Sequence, residues 1–188
     1  MKIYFLKTAQ YDLRKNKNDR YDYLCDLGLQ KIDPLPLHIN SLTPMTKYVI
    51  NSTLKRVALS FQNSSGSIFV PSDNLREVIF DMSTMCTKQE FNKLGSSIVR
   101  EKFIELFIND TLPQKRLFLF DQIRSTLEQI KLINCEEITI VSHSFKLKLF
   151  EAYLKTNGQI ESHPELIRNY IYIDKKTFNF NEGFEYMI

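Results

Sequence analysis

Short apolar runs rich in β-branched and aromatic residues alternate along this chain with longer segments whose apolar residues recur at helical spacing. The runs at 2–6, 47–50, 67–70 and 137–142 predict four buried strands. This alternation favours a largely parallel sheet, because parallel strands need crossover connections and helices usually supply them. We therefore expect an α/β fold, a three-layer α/β/α sandwich around a mostly parallel mixed sheet.

Capping residues indicate where two of the helices begin. Ser52 or Thr53 is placed to cap a helix that follows the second strand. Thr87 and Glu90 stand three positions apart as a capping box, ahead of a long run of apolar residues at helical spacing. We expect that run to form one continuous helix.

Breaking residues and the last part of the chain complete the expected order of elements. The DPLP segment at 33–36 must end a short helix, because proline lacks the amide donor and clashes with the preceding turn. A second short helical piece is expected around 37–42. The alternating segment 170–180 predicts an edge hairpin, so the sheet is expected to be mixed.

Length and composition limit the class of protein. The chain has 188 residues, 43% hydrophobic and 25% charged, so it can bury one core, and we expect one domain over residues 1–188. The net charge of +3 comes from basic residues scattered among acidic ones, which argues against a nucleic-acid partner. No apolar stretch approaches a membrane span or a signal-peptide core, so we expect no membrane association and a cytoplasmic location. The three cysteines show no metal-ligand spacing, and neither a metal nor a cofactor is expected.

Polar side chains follow each of the four predicted strands. Lys7 and Thr8 follow the first, Arg56 lies one turn into the helix after the second, Glu77 follows the third and His143 follows the fourth. Because the carboxyl ends of parallel strands meet at one edge of a sheet, we expect these residues to lie close together. Two cations, a histidine and the amides at helix starts suit a tetrahedral phosphate. The sequence therefore predicts a basic pocket for an anionic ligand.

The order and context of these residues resemble the histidine phosphatase, or phosphoglycerate mutase-like, superfamily over nearly the whole chain. NSTLKRV is similar to the family's Ser-Ser-Pro-Leu-x-Arg-Ala segment, which implies that Arg56 binds phosphate. The LRE at 75–77 resembles the family's Leu-Arg-Glu, which implies that Glu77 takes the place of the general acid. ITIVSHS is similar to the family's late strand and its second histidine, which implies ligand contacts from His143 and the amide of Ser144.

The chain departs from the family at the opening Arg-His-Gly motif. There MKIYFLKTAQ places Lys7, Thr8 and Ala9, so the histidine that attacks phosphorus in the family is missing. A threonine hydroxyl without an adjacent base is a poor substitute for that imidazole. Lys7 keeps the positive charge but loses the two-pronged geometry of a guanidinium. Arg14 falls near the position of a loop asparagine of the family and is a further candidate ligand contact.

Three functions remain open at this point. The first is binding of a phosphorylated small molecule or a phosphoprotein by Lys7, Arg56 and His143, without phosphohistidine chemistry. The second is a repurposed enzyme in which His143 and Glu77 act as acid and base and Thr8 orients the substrate. It is favoured by the presence of Glu77, since a carboxylate beside a bound phosphate would repel it. The third is an interaction scaffold with a vestigial pocket. Because the nucleophile is missing, we expect no ordinary phosphatase or mutase activity.

Overall fold

A five-stranded sheet lies at the centre of the fold. The computed structural model describes residues 1–8, 20–36, 42–61, 66–174, 178 and 182–188. Its strands are β1 (Lys2–Lys7), β2 (Tyr48–Ser52), β3 (Ile68–Ser72), β4 (Glu137–Ser142) and β5 (Gly183–Met187). Their spatial order is β3-β2-β4-β1-β5, with β1 to β4 parallel and β5 antiparallel to β1. The mostly parallel, mixed sheet predicted from the sequence is therefore confirmed.

Helices cover both faces of this sheet, as expected for three layers. They are α1 (Arg20–Gly28), α2 (Lys55–Ser60), α3 (Met82–Met85), α4 (Lys88–Leu94), α5 (Ser96–Ile108), α6 (Arg116–Leu132) and α7 (Ser144–Lys155). Successive strand residues point to opposite faces. Ile140 of β4 therefore joins the large core formed with α5, α6 and α7, whereas Val141 joins a smaller core that includes Val57 of α2.

Aromatic packing stabilises the pairing of β5, the antiparallel edge strand, with β1. The ring of Phe5 in β1 stacks on Phe184 of β5, with 4.3 Å between the ring centroids, and its centroid lies 5.5 Å from that of Phe150 in α7. Lys2 and Glu185 add an ion pair of 2.8 Å across the same two strands. Burial of Phe5 and Phe150, which are fully buried, stabilises the fold by roughly 1.5–3 kcal/mol each, which outweighs the exposed ion pair.

The edge strand lies further along the chain than the alternating sequence predicted. We expected a hairpin over 170–180, but the described part of that segment contains no strand. The amide of Ile171 donates to the carbonyl of Ile167, and Ile171 is buried in the large core. The described part of the segment is irregular and buries Ile171 and Phe178, and the strand that pairs with β1 is β5.

Two helix predictions need correction, and one capping prediction is confirmed. Thr87 and Glu90 form the predicted capping box, but the helix that it starts ends at Gly95 and α5 then follows. Gly95 has a φ of +64°, which glycine adopts at little cost, so the backbone changes direction there. Neither Ser52 nor Thr53 is the cap of α2; the residue in that position is Leu54. The expected helical piece at 37–42 lies outside the described residues except for Leu42, which is not helical.

Three further features concern metals, membranes and thiols. Among the residues that the structure describes, no three His, Cys, Asp or Glu side chains lie together as metal ligands. The same residues form no helix that is both long enough and apolar enough to cross a membrane.

Cys25, Cys86 and Cys135 form no disulfide, and burial raises the pKa of each thiol above its ordinary value. These cysteines are therefore protonated and weakly reactive near neutral pH.

Candidate functional site

The carboxyl ends of β1, β2 and β4 meet at one edge of the sheet, as the sequence predicted. Lys7 is in register with Ser142, and Asn51 is in register with Val141. The amide of Thr8 donates to the carbonyl of Ser142 over 2.8 Å, which extends the β1 to β4 ladder past the end of β1. The polar residues that follow these strands are therefore held on a rigid edge.

His143 lies at this edge between Ser52 and Arg56. Its Nδ1 is 3.3 Å from Nη2 of Arg56, and its Nε2 is 3.0 Å from Oγ of Ser52. A guanidinium can only donate, so Nδ1 must be the acceptor and Nε2 must carry the proton that is donated to Ser52. Burial, followed by the charges of Arg56, Lys146 and Lys7, holds the pKa of His143 well below its ordinary value. The imidazole is therefore neutral in the fold.

Arg56 binds a carboxylate of the chain itself. Its Nη1 donates to Oδ1 of Asp33 over 2.8 Å, and the other carboxylate oxygen accepts a bond from the amide of Lys55 over 2.5 Å. The Arg56 side chain is only 4% exposed, against 22% for Asp33, so the carboxylate lies on the outer side of the guanidinium. Sequence reasoning missed Asp33, which it interpreted only as part of a helix-breaking segment. The two residues are 23 positions apart, and no local signal links them.

Glu77 is bonded to the backbone, mainly at the start of α7. Its Oε1 accepts from the amides of Val78 and Lys146, at 3.0 and 2.9 Å, and its Oε2 accepts from the amide of Phe145 at 3.3 Å. Burial raises the pKa of Glu77, and these backbone hydrogen bonds oppose the rise. Two amides of the first turn of α7 therefore already hold a carboxylate. This arrangement favours a structural role for Glu77 over that of a general acid.

Lys7 and Thr8 lie at the end of β1 and differ in the hydrogen bonding of their side chains. Nζ of Lys7 donates to the carbonyl of Phe178 over 2.8 Å. Thr8 is 3% exposed, and its Oγ1 is buried without a hydrogen-bond partner in the described chain. Ser144 begins α7 and is partly buried, and Arg14 lies outside the described residues. The structure thus brings Lys7, Thr8, Arg56, Glu77 and His143 to one edge of the sheet.

The fold and this edge define an α/β protein with a buried polar site beyond the carboxyl ends of parallel strands. No protein-family model matches the chain, and no curated protein matches it. Among solved structures, it is similar to a mycobacterial glucosyl-3-phosphoglycerate phosphatase, with 14% identity, a TM-score of 0.48, and coverage of 81% of this chain and 78% of the other.

Two further solved structures are similar to the chain. One is a phosphoglycerate mutase from Bacillus anthracis, with 11% identity, a TM-score of 0.45, and coverage of 84% of this chain and 81% of the mutase. The other is a phosphoserine phosphatase from Entamoeba histolytica, with 12% identity, a TM-score of 0.45, and coverage of 89% and 84%. The similarity to these structures is one of fold.

The neutral state of His143 predicts that the protein loses stability as the pH falls. Below about pH 6.5 the unfolded chain binds a proton at this histidine that the folded chain does not, so stability falls by up to about 1.4 kcal/mol per pH unit. Urea denaturation between about pH 5 and 7 should therefore show a steeper loss for the wild type than for His143→Gln. His163→Gln, which changes an exposed histidine, should keep the wild-type slope. The same dependence of the free energy of unfolding on pH in the wild type and in His143→Gln would contradict the assignment of His143 as a neutral imidazole.

Proposed function

We propose that the chain binds a phosphorylated small molecule or a phosphoprotein at this edge of the sheet, in the cytoplasm, without phosphohistidine chemistry. The observation that carries the proposal is the Thr8 hydroxyl, which is buried and has no partner in the described part of the chain. Buried polar atoms are nearly always hydrogen-bonded, and an oxygen of a bound phosphate would satisfy this hydroxyl. Thr8 lies at the position of the nucleophile in the family that the sequence resembles.

The charges around His143 support an anionic ligand. Arg56, Lys146, Lys7 and Arg76 each lower the pKa of the imidazole, so four cations act on one buried ring. Two carboxylates, those of Asp33 and Glu77, are hydrogen-bonded within the same region. A third carboxylate, that of Asp73, pairs with Arg76. The four cations outnumber these three carboxylates by one, and the remaining positive potential favours an anion such as phosphate.

The hydrogen bonds of the site support binding over phosphoryl transfer. An attacking hydroxyl needs a base that holds its proton, and Oγ1 of Thr8 has no hydrogen-bond partner in the described chain. Nδ1 of His143 accepts from Arg56, and Nε2 is a donor, so this imidazole offers no lone pair to a nucleophile. The alternative with His143 and Glu77 as acid and base is less favoured, because Glu77 accepts three backbone hydrogen bonds.

The first experiment measures phosphate affinity at Arg56 by isothermal titration with orthophosphate and orthovanadate. A charge-assisted hydrogen bond contributes roughly 1.5–3 kcal/mol, so Arg56→Ala should weaken binding about ten- to a hundredfold. Arg56→Lys should recover only part of the affinity, because the two-pronged contact is lost. Arg124→Ala, which removes an arginine paired with Glu161 and Asp121, should bind as the wild type does. Absence of binding by the wild type, or equal affinities in all four proteins, would favour the scaffold function instead.

The second experiment tests the carboxylate beside Arg56. Asp33→Asn removes a negative charge 2.8 Å from the guanidinium and keeps an oxygen that can accept from the amide of Lys55. Without the repulsion between the Asp33 carboxylate and the phosphate, phosphate binding should strengthen by about 1 kcal/mol, or about fivefold. Asp22→Asn, which breaks a surface pair with Lys88, is the matched control and should leave the affinity unchanged. Weaker binding by Asp33→Asn would show that Asp33 helps to hold the ligand.

The third experiment tests the absence of phosphatase activity. We expect no turnover of p-nitrophenyl phosphate above background, because no phosphoenzyme can form at Thr8. Thr8→His alone should restore little activity, since the lysine at position 7 leaves the phosphoryl oxygens poorly held for in-line attack. Steady turnover by the wild type that disappears in Thr8→Ala would refute the proposal that the site binds without catalysis.

A further inference from the structure

A second polar cleft lies beside the candidate site. Its volume is about 330 Å³, and Gln30, Asp73, Arg76, Gln114 and Gln122 line it. This volume is at the lower end of the range for small-molecule pockets. None of these five side chains is hydrogen-bonded to His143 or Arg56, although the charge of Arg76 also acts on His143.

Two glutamines of the cleft are fixed in orientation by groups that can only donate. The amide of Ile79 donates to Oε1 of Gln114 over 2.7 Å, and Nζ of Lys146 donates to Oε1 of Gln122 over 2.7 Å. A backbone N–H and an ammonium cannot accept, so each glutamine must turn its oxygen toward that donor. Neither Nε2 donates to any group in the described chain. Gln114 and Gln122 therefore each have an NH₂ group available to a ligand.

Positive charge reinforces this set of donors. Nε of Arg76 donates to Oε1 of Gln30 over 3.0 Å, and its Nη1 lies 3.8 Å from Asp73, so the guanidinium is fixed at the cleft wall. The side chain of Arg76 remains 41% exposed and can be reached by a ligand.

Lys146 supplies a second charge behind Gln122. The residue is 1% exposed, and in the described chain Nζ has one hydrogen bond, the bond to Gln122. Burial lowers the pKa of Lys146 to about 8, and it remains mostly an ammonium at neutral pH. The charge of Glu77 already stabilises this ammonium, and an anion in the cleft would add to that stabilisation. The donors and the charge at the cleft therefore suit a ligand that is rich in acceptors.

We propose that this cleft is a binding site for a small organic carboxylate, held by Arg76 and by the amide groups of Gln114 and Gln122. A carboxylate has acceptor sites for several donors at once and suits the planar guanidinium. The carboxylate of Asp73 does not fill this role within the chain, because it is 77% exposed and accepts from the hydroxyl of Thr53 over 2.6 Å. The proposal does not depend on phosphate binding at Arg56.

The test follows the side-chain amide signals of the glutamines by ¹⁵N–¹H NMR while citrate is added to the full chain. The signals of Gln114 and Gln122 should shift and saturate, and the signal of Gln129, which lies on α6 outside the lining of the cleft, should not. Absence of saturable shifts at Gln114 and Gln122 would overturn the proposal. Equal shifts with orthophosphate would overturn the assignment to a carboxylate.

A pair of variants tests whether the side-chain amide of Gln122 contributes to citrate binding. Gln122→Glu keeps an oxygen for Lys146, so the fold should hold, but it replaces a donor at the cleft with a negative charge. We expect citrate affinity to fall by about tenfold or more. Gln129→Glu makes the same change elsewhere on α6 and should bind citrate as the wild type does. Wild-type affinity in Gln122→Glu would also overturn the proposal.

Discussion

The guanidinium of Arg56 fixes the chemical state of its neighbours at the sheet edge. It donates to Asp33 on one side and to Nδ1 of His143 on the other. Because Arg56 is always charged and always a donor, it sets the tautomer of His143, and His143 in turn donates to Ser52. The ion pair with Asp33 is largely buried, so removal of either partner leaves a costly unpaired charge. The geometry of the edge therefore depends on this one side chain.

The carboxylates of the site support the proposal that it binds a phosphorylated ligand without phosphoryl transfer. Asp33 is bonded to Arg56 and to the amide of Lys55, and Glu77 is bonded to three amides, two of them in the first turn of α7. These are groups that could otherwise hold phosphoryl oxygens. An anion that enters must share the donors with these carboxylates. We infer that the site is suited to reversible recognition, with modest affinity and little power to stabilise a transition state.

The parts of the structure that depend on local patterns could be predicted from the sequence. The strands from β1 to β4 follow from short apolar runs, and the Thr87–Glu90 capping box follows from spacing alone. The placement of Arg56 and His143 at one edge follows from the parallel order of the strands. What could not be predicted depends on pairs distant in the chain. Asp33 lies 23 residues from Arg56, and the edge strand β5 is positioned by the stacking of Phe184 on Phe5.

The first turn of α7 links the site at the sheet edge with the polar cleft. His143 immediately precedes the helix and contacts Ser52 and Arg56, and one turn later Lys146 reaches Gln122 of α6. Glu77 bonds to the amide of Lys146 between these two contacts. Any movement of the turn would disturb the hydrogen bonds on both sides, and the enclosed core resists such movement because Phe145 stacks on Phe103 at 4.0 Å. The candidate site and the polar cleft therefore share a rigid support in the first turn of α7.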